Sequence, residues 1–177
     1  MTIAIQLLGY KKEQIEILIM QMVRLVKNGQ EFKMSKRTGN SLTLSDLVNA
    51  IGKDAARWYL ASQTLSTHLE IDIDKAIDKS NNNPIYYVQY AHARICKLLS
   101  IGKFKRVKKF DLLKEDIEKQ IIDELNYFVP TIEAVSKSCE INKITNYLLN
   151  LAKLFHSFYG KCQIINDKNI KFSQQRY

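Results

Sequence analysis

The chain is poor in the residues that break or staple a fold. Two prolines and six glycines among 177 residues exclude a collagen-like or linker-rich polypeptide. Its three cysteines, Cys96, Cys139 and Cys162, stand far apart with no Cys-x-x-Cys or Cys/His pairing, which excludes a zinc ribbon or a disulfide framework. No apolar run reaches the length of about 18 residues that a membrane span needs. The opening residues carry Lys11, Lys12, Glu13 and Glu16 in place of a basic stretch, an apolar core and a cleavage site, so a secretory leader is not expected. The expectation is a cytoplasmic protein. What is present is a hydrophobic share of 46%, enough for a packed core, and a formal net charge of 27 − 18 = +9. That charge fits a polyanionic partner without specifying one. The length suits one domain, or one domain with part of another.

Patterning divides the chain into an edge of mixed structure and a long helical remainder. Residues 14–26 are dense in β-branched and apolar side chains and predict a strand buried on both faces, closed by a turn at Asn28-Gly29. Residues 30–41 have no period and read as a loop. Thr43 or Ser45 can cap a short helix that ends near Gly52, and Asp54 can cap a second through Trp58 and Leu60. Residues 66–74 alternate and predict a short extended segment. Asn83-Pro84 then starts a helix, with Val88, Ala91, Ile95 and Leu98 at helical spacing after it. The stretch 103–109 holds five basic residues in seven and reads as a connector. Leu113, Ile117, Ile121, Leu125 and Phe128 form a second stripe that Pro130 breaks or kinks, and Ile144, Leu148, Leu151, Phe155 and Phe158 form a third. The tail 161–177 is polar, with no clear cap and no expected partner helix.

Chemistry concentrates in the loop. Lys33-Met34-Ser35-Lys36-Arg37 precedes Thr38-Gly39-Asn40, so two ammonium groups three residues apart can meet on one anion while Gly39 allows close backbone approach. A triphosphate losing pyrophosphate needs such a pair, because negative charge grows on the leaving oxygens. Lysines that reach the phosphates mainly in the transition state accelerate the reaction. A lone Lys-x-x-Lys leaves open the alternative of a solvated basic loop.

The spelling Lys-Met-Ser-Lys, followed by a helix with Gly52, Asp54, Ala55 and Arg57, resembles the signature loop of class I aminoacyl-tRNA synthetases. Within that class the chain is similar to arginyl-tRNA synthetase. The likeness runs through residues 21–25, 33–37 and 54–57, the block Asn83-Pro84-Ile85-Tyr86-Tyr87-Val88-Gln89-Tyr90-Ala91-His92-Ala93-Arg94, and residues 151–159, in the family's order. It implies a mainly α chain with three parts. Residues 1–41 would be the C-terminal edge of a Rossmann-type catalytic domain, with one or two strands and the lysine loop. Residues 42–80 would be a connecting helical region that contacts the tRNA stem. Residues 81–177 would be an all-helical anticodon-binding bundle, truncated at its C-terminus.

The implied reaction joins arginine to its tRNA through an adenylate made from ATP, with Mg²⁺ accompanying the nucleotide. By resemblance Lys36 neutralises the departing phosphates and Lys33 assists, while Met34, Ser35 and Arg37 shape the loop. The implied partners are tRNA(Arg), ATP and arginine, with no membrane, and a monomer is expected. The sequence departs from the family in having no His-x-Gly-His motif: its histidines are His68, His92 and His156. The chain alone is therefore expected not to form the adenylate.

Recognition of unstacked anticodon bases calls for flat aromatic or guanidinium faces and for amide donors, which selects Tyr86, Gln89, Tyr90 and Arg94 as candidate tRNA-binding residues. Tyr90 and Arg94 are four apart and share a helix face. Core packing is the competing role for Tyr86 and Tyr87. No metal site is expected: His92 and His156 lack partners at ligand spacing, and Asp72, Asp74 and Asp78 lack the glycine and terminal glutamate of an EF-hand loop. Trp58 reads as core, and the 103–109 connector as either a backbone contact for tRNA or a solvated loop. Two other readings stand beside the ligase: a stand-alone tRNA- or RNA-binding module without catalysis, and a structural protein whose basic loop has no special role.

Overall fold

The computed structural model describes residues 2–32, 43–101, 104 and 107–177. The lysine loop at 33–37 and part of the basic connector lie outside the described residues. The chain opens with α1 (Thr2–Leu7) and a single 3-10 turn (Lys12–Gln14) before β1 (Val23–Lys27). The long buried strand expected over 14–26 shrinks to those five residues. Ile17, Leu18, Ile19 and Met20 are exposed, and Leu25 is the one residue of β1 that is buried. Apolar density marks where burial is possible; only a neighbouring element makes it happen.

Asn28 and Gly29 both take positive φ, 51° and 72°, the backbone of the two-residue turn that matches strand twist. That turn folds β2 (Gln30–Glu31) antiparallel onto β1, with Val26 opposite Glu31. Asp74 reinforces it by accepting the Asn28 N–H at 2.7 Å. The chain then crosses through α2 (Leu44–Ile51) and α3 (Lys53–Ala61) to β3 (Leu69–Asp72), which lies parallel to β1, so the sheet order is β2-β1-β3. Among the described residues the sheet has three strands: β1 and β2 lie within residues 1–41, where one or two strands are expected, and β3 falls in the segment 66–74 that is expected to be extended and pairs with β1.

Thr43 caps α2 in a capping box with Asp46. Gly52 ends α2 and opens α3 at φ 83°, a conformation that side-chain-bearing residues rarely adopt. Asp54 therefore lies within the first turn of α3, and Gly52 takes the cap position expected for the aspartate. Leu25, Leu47, Ile51, Ala55, Ala56, Leu69, Ile71, Ile73, Ala76 and Ile85 form one continuous core, with Trp58 packed against it. Ile73 and Ala76 come from α4 (Ile73–Ile77), which Asp72 caps.

The helical remainder starts at α5 (Pro84–Ile101), where the Asn83 side-chain oxygen accepts the Ile85 N–H at 3.1 Å. Next come α6 (Asp116–Asn126), α7 (Phe128–Ser138) and α8 (Asn142–Lys161). The helix breaks at Tyr127, and Pro130 sits in the first turn of α7, where its missing N–H has no intrahelical partner to lose. α8 packs on α5, α6 and α7 and reaches α3, tying the two halves together.

The tail corrects the expectation most. It forms α9 (Ile170–Arg176), capped by Asn169, which accepts the Phe172 N–H at 3.2 Å. Arg176 enters a buried ion pair with Glu118, and the Tyr177 hydroxyl donates to the Leu99 carbonyl at 3.1 Å. The tail has a cap, a helix and partners on α5 and α6. It closes the helical unit.

Candidate nucleic-acid interface

Tyr86, Tyr90 and Arg94 recur every four residues on α5, so they rise along one face of the helix. The rings of Tyr86 and Tyr90 are stacked, with centroids 6.0 Å apart and planes 9° from parallel. Arg94 Nη2 donates to the Tyr90 hydroxyl at 3.0 Å, and its guanidinium carbon lies 4.3 Å from the centre of the Tyr90 ring.

Helix α8 supplies the other half. The Tyr159 ring centre is 4.7 Å from the same guanidinium carbon. His156, three residues earlier, stacks on Tyr90 with centroids 5.7 Å apart and packs obliquely against Tyr87 at 4.4 Å. Its Nδ1 is 3.1 Å from Arg94 Nη1, and its Nε2 is 3.0 Å from the Tyr87 carbonyl. Tyr90 and Tyr159 stay open to solvent at 38% and 37% exposure, while Arg94, Tyr86 and Tyr87 are half-buried.

The electrostatics of this cluster are one-sided. No partner of Arg94 described above is an anion: they are a hydroxyl, an imidazole nitrogen and two ring faces. Among the described residues no carboxylate pairs with it. Ring faces attract a guanidinium by about 0.5 to 2 kcal/mol each, and the hydrogen bonds set its direction, but none of these contacts cancels its charge. A guanidinium also offers more donors than two bonds consume. The arrangement presents a directed cation between two exposed aromatic surfaces.

The structure thus brings Tyr86, Tyr90 and Arg94 together, with Tyr87 on their inner side. It leaves Gln89 elsewhere. Gln89 Nε2 donates to Asp54 Oδ2 at 3.1 Å, linking α5 to α3 beside a cleft of about 690 Å³ that Tyr86 also lines. Lys33, Met34, Ser35, Lys36 and Arg37, the candidate nucleotide contacts, fall outside the described residues. Sequence reasoning assigned no role here to His156 or Tyr159. Their spacing of three on a helix was the available signal; the Arg94 contact lies 62 residues away in sequence and had none.

The acidic residues weighed as a metal cluster have local duties. Asp72 caps α4 by accepting the N–H groups of Asp74 and Lys75; those bonds, the one from Lys75 first, hold its carboxyl below the usual carboxylate range. Asp74 takes the Asn28 N–H, and Asp78 accepts from the Ser80 hydroxyl.

Comparison with known proteins gives a consistent picture. Residues 88–177 match the DALR anticodon binding domain. The chain is 47% identical to the arginine–tRNA ligase of Ureaplasma parvum over 174 residues, covering 98% of this chain and 32% of that protein. Its identity to the arginine–tRNA ligase of Malacoplasma penetrans is 46%, over 99% of this chain and again 32% of the relative. A crystal structure described as an arginyl tRNA synthetase from Campylobacter jejuni superposes with a TM-score of 0.78 at 32% identity, covering 99% of this chain and 39% of that one. The arginyl-tRNA synthetase of Thermus thermophilus shares the fold at a TM-score of 0.60 and 14% identity. The chain spans about a third of the length of the curated relatives it matches. Among the described residues no helix is long and apolar enough to cross a membrane.

Proposed function

This chain belongs to the DALR anticodon-binding family of the arginyl-tRNA synthetases, and from that premise we propose that it grips tRNA(Arg) within an arginine–tRNA ligase. The observation that carries the reading is Arg94, a cation aimed by partners none of which is an anion and flanked by the exposed rings of Tyr90 and Tyr159. Unstacked bases find π-faces on such rings, where stacking contributes about 1 to 3 kcal/mol per base. A phosphate finds the uncancelled charge. Tyr86 extends the stacked surface along α5, and the net charge of +9 favours approach of a polyanion.

The lysine loop belongs to the same proposal. Lys36 and Lys33 neutralise ATP phosphates during adenylate formation, with Met34, Ser35 and Arg37 shaping the loop, arginine as the co-substrate and Mg²⁺ accompanying the nucleotide. In a ligase containing this segment, Lys36→Ala lowers the adenylation rate by about 10²- to 10³-fold, the usual cost of one transition-state donor. A wild-type rate in that variant rejects the role. A stand-alone RNA-binding module has less support, since the relatives that match almost the whole chain are ligases.

Titrating tRNA(Arg) into the chain at low salt tests the binding reading. Affinity that falls with added salt is expected, at about 0.7 in log-log slope for each single-stranded phosphate neutralised. Absence of binding at low salt overturns the proposal and favours a structural role.

A further inference from the structure

We propose that His156 is a positioning residue for RNA recognition: held in one tautomer by the Tyr87 carbonyl, it aims the Arg94 guanidinium at an RNA phosphate. This inference rests on the RNA-binding reading of the Arg94 cluster. The chemistry starts from what each partner can do. A carbonyl oxygen only accepts, so the 3.0 Å contact requires the proton of the ring on Nε2. That leaves Nδ1 bare. A guanidinium only donates, so Nδ1 accepts from Arg94 Nη1 at 3.1 Å. Each bond demands what the other provides, and no other arrangement of protons on the ring satisfies both.

Geometry makes the imidazole a relay between backbone and side chain. The Tyr87 carbonyl belongs to α5, the same helix that carries Arg94, while His156 stands on α8. The ring is wedged against Tyr87 and stacked on Tyr90, which limits its rotation. One edge of Arg94 is thereby fixed by His156 and another by the Tyr90 hydroxyl. An arginine side chain has many rotamers to lose on binding, and fixing it beforehand removes that cost from the RNA complex. A carboxylate in place of the imidazole would hold the guanidinium as firmly but would cancel the charge. A neutral acceptor gives direction and keeps the cation available.

The two ring nitrogens can be separated by substitution. His156→Asn keeps an amide oxygen near the Nδ1 position and gives up the bond to Tyr87. His156→Gln places an amide nitrogen near the Nε2 position and gives up the acceptor facing Arg94. Binding of labelled tRNA(Arg) is measured across a salt series for wild type, Arg94→Ala and both histidine variants, alongside their thermal midpoints. Arg94→Ala is expected to weaken binding about tenfold, in line with loss of a charge-assisted hydrogen bond, and to reduce the salt slope by about 0.7. His156→Gln follows Arg94→Ala in affinity and slope, whereas His156→Asn stays within about threefold of wild type with an unchanged slope.

A His156→Gln chain with wild-type affinity and slope, beside a weakened Arg94→Ala chain, overturns the positioning role alone. Equal loss of affinity in both histidine variants, tracking their thermal midpoints, reduces His156 to packing and also overturns it. An Arg94→Ala chain that binds like wild type removes the underlying site and this inference with it.

Discussion

Around the three-stranded sheet the buried side chains are aliphatic, from Leu25 and Leu47 through the fully enclosed Ile71 to Ile85, with Asn83 the polar exception among the described residues, whereas the helical half encloses several polar groups. There Ser173 is completely buried and exchanges two hydrogen bonds with the Asn166 backbone, at 2.7 and 3.1 Å, and Glu118 meets Arg176 out of solvent. The buried apolar cluster on that side is small: Phe158, Cys162 and Ile164, with Leu98, Ile117, Ile121, Phe155 and Ile165 packed against it. Aliphatic burial is non-directional and tolerates small shifts of one element on another. Hydrogen bonds and ion pairs fix angles. A surface that must hold a cation in one direction gains from the second kind of framework, and the Arg94 cluster is its exposed continuation.

That contrast can be broken most severely at Glu118. Glu118→Ala leaves the Arg176 charge buried without its partner, and the expected loss is about 3 to 5 kcal/mol. Ile71→Ala, which opens a cavity beneath the sheet, is expected to cost about 2 to 5 kcal/mol. Urea unfolding followed separately at Trp58, beside the sheet core, and by helical circular dichroism measures both. If the halves are held as described, Glu118→Ala lowers the helical transition first and Ile71→Ala the Trp58 transition first. Identical transitions in both variants show one cooperative unit and erase the distinction.

Asp72 sharpens the comparison at a smaller scale. Its carboxyl is held below the ordinary range, chiefly by the backbone hydrogen bond from Lys75, so its stabilisation is present above the unfolded carboxylate value and is lost as pH falls through the depressed folded value. Asn caps helices about as well as Asp. Asp72→Asn is therefore expected to leave neutral-pH stability nearly unchanged and to flatten the acid side of the stability curve. An acid limb as steep as that of wild type contradicts the cap's contribution.

Local devices were legible in advance because their partners lie within a few residues. Asn28-Gly29 turns the hairpin, Thr43, one of the two candidate caps with Ser45, starts α2, and Asn83-Pro84 opens α5. Features that depend on distant partners were not. The density of residues 14–26 suggested two-sided burial, yet most of that segment is exposed, since hydrophobicity does not say which element will cover it. The tail looked uncapped and unpartnered; Asn169 caps it and Glu118, 58 residues before Arg176, anchors it. At the candidate interface, Tyr90 and Arg94 could be paired from spacing alone, while His156 and Tyr159 became visible only when α8 was placed against α5.

The most direct measurement is the salt dependence of tRNA(Arg) affinity for the wild-type and Arg94→Ala chains. The account predicts affinity about tenfold weaker and a log-log slope shallower by about 0.7 for the variant, because one phosphate contact is lost while the fold is kept. Superimposable binding curves at every salt concentration would contradict it.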